Sequence, residues 1–213
     1  MKISKKNTAL LLIDFQRDFC EKGGYADKIF GGINWVNSIL PNAKKLLDFA
    51  RKNKLFIVYT REGYKKDLSD CDSLRQKRSK LAGASIGSKG PMGRLLVRGE
   101  YGQDIIDLLK PMKSEIILDK PSYGAFCSTR LKTILKKNNI KNLILCGVTA
   151  DVCVHTTLRE AVERGFYCYY VKDAISTPNS YLRKACEKMV ETEGGVWGEV
   201  VNTKMVVDGN IFI

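Results

Sequence analysis

NLILCGVTADVC, residues 142–153, is the stretch on which the fold turns. It opens with five residues, mostly apolar, of strand character. A glycine follows, then a short polar turn, and then a helical pattern from about 150 to 164. A short apolar run that leads straight into a helix is the building block of a parallel α/β sheet.

Outward from there the alternation recurs in both directions. TALLLI (8–13) is an apolar run suited to a strand buried on both faces. Residues 33–52 carry Val36, Ile39, Leu40, Ala43, Leu46, Leu47 and Ala50 on one helical face. LFIVYT (55–60) and EIIL (115–118) read as strands, and 103–110 as a helix. Residues 128–138 form an amphipathic helix through Leu131, Ile134 and Leu135. Strand FYCYYV (166–171), helix 179–192 and a last segment at 196–201 complete the series. The class is α/β with a parallel sheet covered on both faces, in one domain spanning residues 1–213. Residues 61–101 stand apart. They are polar, basic and glycine-rich, with GASIGSKGPMGR (83–94) in the middle. That is too long for a plain connection and reads as an active-site flap or an interface excursion.

Bulk properties narrow the function. With 213 residues, 44% hydrophobic and 28% charged, the composition is that of a globular protein. No stretch approaches a membrane span. The N-terminal lysines and apolar run mimic a signal peptide. That run breaks at Asp14 without a small-residue cleavage site, and it reads as a first strand. The net charge is +13. Its basic clusters, Lys65-Lys66, Arg75 to Lys80 and Lys136-Lys137, are short and lack interleaved aromatics. They suit a solvated surface, or one that attracts anionic substrate, rather than nucleic acid. The seven cysteines form no CxxC pair and no zinc spacing. Cys146 and Cys168 lie in apolar runs, which suits a reducing, cytoplasmic setting.

Ligands of such sheets bind at the carboxyl ends of the strands. Three of those ends carry reactive groups: Asp14, Lys120 and Cys153. Each alone has an ordinary explanation, as a turn former, an exposed lysine or a packing cysteine. Together they make a nucleophile set. A helix N-terminus, with roughly half a positive charge, and a nearby ammonium would lower the thiol pKa. A carboxylate can take the thiol proton and return it to a leaving nitrogen. Backbone N–H groups at the helix start could hold an oxyanion. The single histidine, His155, follows Cys153 by two residues on the same helix and faces elsewhere. No GxGxxG or P-loop occurs, and one histidine cannot build a histidine-rich metal site. No cofactor and no metal are expected.

LLIDFQRDF (11–19), DKPSYGAF (119–126) and LILCGVTADVCVHTTLREAVERGF (143–166) resemble the isochorismatase-like cysteine hydrolases, in order and spacing. The resemblance covers nearly the whole chain. It implies a three-layer α/β/α sandwich around a six-stranded parallel sheet. It implies Asp14 as base, Lys120 as electrostatic partner and Cys153 as nucleophile. It also implies a cis peptide at Val148-Thr149 and an oxyanion hole from the backbone N–H groups of Thr149 and Cys153. Nicotinamidases of this family carry Asp-x-His after the second strand, and this chain has no histidine there. DFCEKGGY, TREGYKKDLSD, GPMGRLLVRGEYGQDII and EGGVWGEV are similar to the biuret hydrolase and ureidoacrylate amidohydrolase branch.

The resemblance therefore implies cysteine-dependent cleavage of a C–N bond in a small ureido-type amide. An N-carbamoyl-amine or other small-amide hydrolase is the alternative. From a different class, a catalytically retired basic binding module is the other. Phe19 would line the substrate pocket, with Arg61 and Glu62 at the same sheet edge. Glu193 stands where biuret hydrolases have Gln. An ionised carboxylate only accepts hydrogen bonds, so Glu193 would suit N–H groups or a cation. Tyr64 stands where that branch often has His. The family tends to assemble as homodimers or homotetramers.

Overall fold

Thr8–Ile13 forms β1, and all six of its residues are buried. Only a central strand with both faces covered looks like this. The computed structural model describes residues 2–213. It places β1 inside a six-stranded sheet in which every pairing is parallel. After β1 come three short helices, α1 (Arg17–Cys20), α2 (Tyr25–Phe30) and α3 (Asn34–Asn37). Then follow α4 (Leu40–Lys52) and β2 (Phe56–Glu62).

The excursion carries α5 (Ser73–Leu81) and a small antiparallel pair, β3 (Lys89–Gly90) and β4 (Gly93–Arg94). The main sheet resumes with β5 (Ile116–Lys120), α6 (Leu131–Lys137) and β6 (Asn142–Val148). It ends with α7 (His155–Val162), β7 (Tyr167–Ser176), α8 (Ser180–Gly195), β8 (Glu199–Val201) and α9 (Thr203–Val207).

Strand order is β5-β2-β1-β6-β7-β8. From β1 the chain steps outward to β2 and β5, then returns to β6 on the other side of β1. Right-handed crossovers in opposite directions put their helices on opposite faces. Hence α4 lies on one face and α7 and α8 lie on the other, giving three layers. The reversal between β1 and β6 is the topological switch point, where the carboxyl ends of neighbouring strands diverge and leave a crevice. Asp14 and Thr149 follow those two strands directly.

Gly147 makes the junction close. Its φ is +141°, and a Cβ there would lie 2.1 Å from the Ile13 carbonyl oxygen. Without a side chain, β1 and β6 stay in register to their ends (Ile13 opposite Gly147). The excursion is seated on this edge. Leu95, Leu96 and Val97 are buried. The Leu96 N–H donates to the Asp18 carboxylate at 2.8 Å. The Tyr64 N–H donates to the Leu96 carbonyl at 2.9 Å.

Several elements differ from sequence expectation. The helix read over 33–52 is two, because Pro41 has no N–H for the carbonyl of Asn37 and the helix restarts there. The helix read over 103–110 is a pair of 3-10 turns, Tyr101–Gln103 and Asp107–Leu109. Between them the backbone is drawn out beside the segment after β1. There Arg17 N–H donates to Asp104 O (2.9 Å) and Ile106 N–H to Phe15 O (3.1 Å). β2, β5 and β7 run on past their apolar cores to Glu62, Lys120 and Ser176. Among the described residues, no helix is long and apolar enough to cross a membrane.

Two outcomes follow from this framework. Gly147→Ala would force β1 and β6 apart and is expected to cost roughly 3–5 kcal/mol. The thermal midpoint should fall by about 6–20 °C; an unchanged midpoint would show that the close approach is not needed. Asp18 supplies a pH dependence. Burial pushes its carboxyl up to about 6, against the N–H groups of Leu96 and Tyr25. With a raised folded-state pKa, its stabilising proton is fully held below the ordinary carboxylate range. That contribution is lost as pH rises through about 6. Unfolding free energies of wild type and Asp18→Asn should therefore diverge by roughly 3 kcal/mol between about pH 4 and pH 7, wild type losing ground. Parallel profiles would contradict this.

Candidate active site

Asp14 sits one residue past β1 with φ +56°, a left-handed conformation rare outside glycine. It is held there from several directions. Its N–H donates to the Thr60 carbonyl (3.2 Å), and the Thr60 hydroxyl donates to Oδ1 (2.7 Å). Lys120 Nζ lies 2.7 Å from Oδ2, and both side chains are fully buried. The ammonium also donates to the carbonyls of Ser122 and Tyr123, each at 2.9 Å. Burial alone would lower the Lys120 pKa. Asp14, then Cys153 and Glu62, outweigh it and raise the value, so Lys120 stays an ammonium.

Cys153 sits in the π-helical turn Ala150–Val154 that precedes α7. Its Sγ is 3.7 Å from Glu62 Oε2. Donor atoms of Asp14, Glu62 and Cys153 all lie within 4.8 Å of one another. Lys120 is the cation beside them, in direct contact with Asp14. The Val148-Thr149 peptide is cis, and Thr149 begins the turn with extended backbone.

The expected depression of the thiol pKa does not occur. Burial pushes the Cys153 thiol well above its ordinary value; Lys120 pulls it down, while Asp14 and Glu62 push it up. One ammonium does not offset complete desolvation flanked by two carboxylates. At rest the sulfur therefore carries its proton.

Above the thiol is a cavity of about 150 Å³, lined by Phe19, Tyr25, Ile29, Phe30, Glu62, Tyr123, Thr149, Val152 and Cys153. A site of about that size admits a molecule comparable to benzene. A larger depression lies elsewhere. It is an open groove of about 540 Å³ that includes Arg17, Arg61, Tyr101, Asp104 and Ile117, and no cysteine, serine or threonine lines it.

The structure brings together Asp14, Lys120, Cys153, Thr149, Phe19 and Glu62. It does not bring Arg61 or Glu193. Alternation along β2 turns Thr60 and Glu62 one way and Arg61 the other. Arg61 is bound to Asp104 (2.6 Å) and Asp119 (2.8 Å) and lines the groove, so it is an ion-pair residue. Glu193 is exposed at the kink of α8 (φ +50°) and does not line the cavity. His155 is buried and points elsewhere, its Nδ1 accepting from Arg159 at 3.1 Å.

Sequence reasoning missed Tyr25, Ile29, Phe30, Tyr123 and Val152 as cavity walls. Tyr123 offered a signal, lying three residues past Lys120 in a turn. Also missed was the Glu62 anchor. Glu62 Oε1 accepts from the Tyr64 hydroxyl at 2.8 Å, with Arg75 at 3.8 Å. Burial raises the Glu62 pKa; Lys120, Tyr64 and Arg75 oppose it and Asp14 adds to it.

Known proteins share this architecture. A cysteine hydrolase from Pseudomonas syringae pv. phaseolicola superposes with a TM-score of 0.83 at 24% identity, over 98% of this chain and 94% of that one. N-carbamoylsarcosine amidase from Thermoplasma acidophilum superposes at 0.72 and 22% identity, over 95% and 97%. In sequence, the ureidoacrylate amidohydrolase RutB of Azorhizobium caulinodans is 26% identical over 196 residues, 90% of this chain and 86% of that protein. The isochorismatase domain matches residues 8–200, from the first residue of β1 into β8. A match that spans every strand framing the buried thiol places this chain in the isochorismatase family of hydrolases.

Proposed function

We propose that the protein is a cysteine-dependent amidohydrolase that cleaves the C–N bond of a small ureido-type amide. The observation that carries this reading is a buried Asp14–Lys120 ion pair beside a thiol at the floor of a small cavity. The similarity to ureidoacrylate amidohydrolases supports the substrate class.

Cys153 Sγ attacks the substrate carbonyl carbon, and its proton passes to the Asp14 carboxylate. Because the resting thiol is protonated, attack and proton transfer are coupled. Negative charge grows on the carbonyl oxygen, where backbone N–H groups of Thr149 and Cys153 receive it. Lys120 balances the charge around Asp14 and never leaves its three oxygen partners. The C–N bond then breaks, and the proton on Asp14 moves to the departing nitrogen. A thioester-type acyl-enzyme remains, a thiocarbamate for a ureido carbonyl. Water, deprotonated by Asp14, attacks it and frees the thiol.

The cavity selects a flat, compact substrate. Phe19, Tyr25, Phe30 and Tyr123 offer aromatic walls, and Glu62 offers an acceptor for substrate N–H groups. Biuret-like and ureidoacrylate-like molecules both fit this chemistry. All seven cysteines are free and six are buried, which accords with a reducing, cytoplasmic setting. Exposed Tyr181, Leu182 and Met189 on α8 offer an apolar surface for a homodimer or homotetramer.

The direct test is ammonia release from biuret, ureidoacrylate, carbamoyl amino acids, a simple amide and nicotinamide, with a chelator present. Turnover is expected with a ureido compound, unaffected by the chelator and abolished in Cys153→Ala. Activity that survives in Cys153→Ala, or no turnover across the panel, would end the reading. Lys120→Met should be inactive and should lose about 3–5 kcal/mol of stability, because it leaves Asp14 buried and unpaired. A stable, active Lys120→Met would remove Lys120 from the account.

A further inference from the structure

Asp14 and Glu62 are two buried carboxylates near one ammonium. Two carboxylates at close quarters do not both ionise unless a second cation compensates. That cation comes from the excursion. Arg75, on α5, places its guanidinium 3.8 Å from Glu62 Oε1. The same group lies over the Tyr123 ring, 4.0 Å from its centroid.

The orientation of Arg75 is itself fixed. Asp72 caps α5 by accepting from the Arg75 N–H at 2.8 Å, and its other oxygen lies 3.3 Å from Arg75 Nε. The Arg75 side chain is only 16% exposed. Arg75 is not among the residues that line the cavity. It touches two residues that do line it, and each of these bonds the catalytic group. Glu62 turns Oε2 toward Cys153 Sγ, and Tyr123 gives its carbonyl to Lys120 Nζ.

We infer that Arg75 is a positioning residue, which holds Glu62 as a hydrogen-bond acceptor facing Cys153 and packs Tyr123 as the cavity wall. The excursion is then part of the working site through one side chain, and not merely a cover over it. The role given to Glu62 rests on the amidohydrolase reading. The contact between Arg75, Glu62 and Cys153 does not.

Without the guanidinium, Glu62 would keep its proton to higher pH, since burial and Asp14 both favour the neutral form. A protonated Glu62 offers O–H to the site in place of an acceptor pair.

The test follows iodoacetamide labelling of Cys153 against pH, read by peptide mass spectrometry so that the exposed Cys127 is counted separately. It needs no turnover, so its failure is distinct from failure of the amidohydrolase reading, which Cys153→Ala decides. In wild type the ionisation of Glu62 should appear as a step in the labelling profile. Arg75→Met should move that step upward, because a cation that favours the ionised form is lost. Glu62→Gln should remove the step, and adding Arg75→Met to it should change nothing further. Arg75→Lys keeps a cation and should leave the step near its wild-type position, which also guards against a folding defect in the Met variant. Superimposable profiles for wild type and Arg75→Met would overturn the inference. So would a Lys variant displaced as far as the Met variant, or a Glu62→Gln profile identical to wild type.

Discussion

The Lys120–Asp14 ion pair is the constraint around which the molecule is arranged. Both groups are fully buried and 2.7 Å apart. Two charges withdrawn from water cost several kcal/mol each unless every donor and acceptor finds a partner. Here they do. The ammonium reaches two carbonyls in the turn after β5, and the carboxylate takes the Thr60 hydroxyl from β2. The pair thus ties the ends of β1, β2 and β5 together, and a thiol after β6 completes the ring. Four consecutive strands of the sheet order meet at one small volume.

That volume is electrostatically balanced rather than simply positive. Asp14, Glu62 and a developing thiolate are negative, and Lys120 and Arg75 are the compensating cations. Burial drives the thiol toward its neutral form. Chemistry under those conditions needs a base that accepts the proton as the new bond forms, the part we propose for Asp14. Much of the net charge of +13 lies on the surface. In the excursion it comes near the site, and only Arg75 turns inward to do something specific.

Asp14, Lys120 and Cys153 were legible as candidates because a parallel sheet puts every strand's carboxyl end on one edge, but their meeting depends on the order β5-β2-β1-β6, which only the resemblance to a known family implied. The six-stranded parallel architecture was legible for the same reason, through the alternation of apolar runs and helical faces. Arg61 and Glu62 looked equivalent, since both follow the second strand. Their opposite fates depend on which face of β2 meets the cavity, a fact of tertiary packing. Glu193 was suggested by likeness to relatives, whereas its position depends on how α8 kinks. The thiol pKa failed because it depends on depth of burial, which spacing does not encode. Tyr25 opens a six-residue helix, Tyr123 lies in a turn and Arg75 lies in the excursion, and none of these is long enough or apolar enough for periodicity to announce a direction. Helix 103–110 failed because backbone pairing beside Phe15 and Arg17 outweighed its local pattern.

The central claim is that the thiol of Cys153 takes the acyl group with Asp14 as its proton acceptor. Peptide mapping of enzyme quenched in acid during turnover of a ureido substrate tests it most directly. The account predicts an acyl adduct on Cys153 alone, abundant in wild type and missing in Asp14→Asn. Steady turnover with no adduct on Cys153, or an adduct on another residue such as the exposed Cys127, would contradict it.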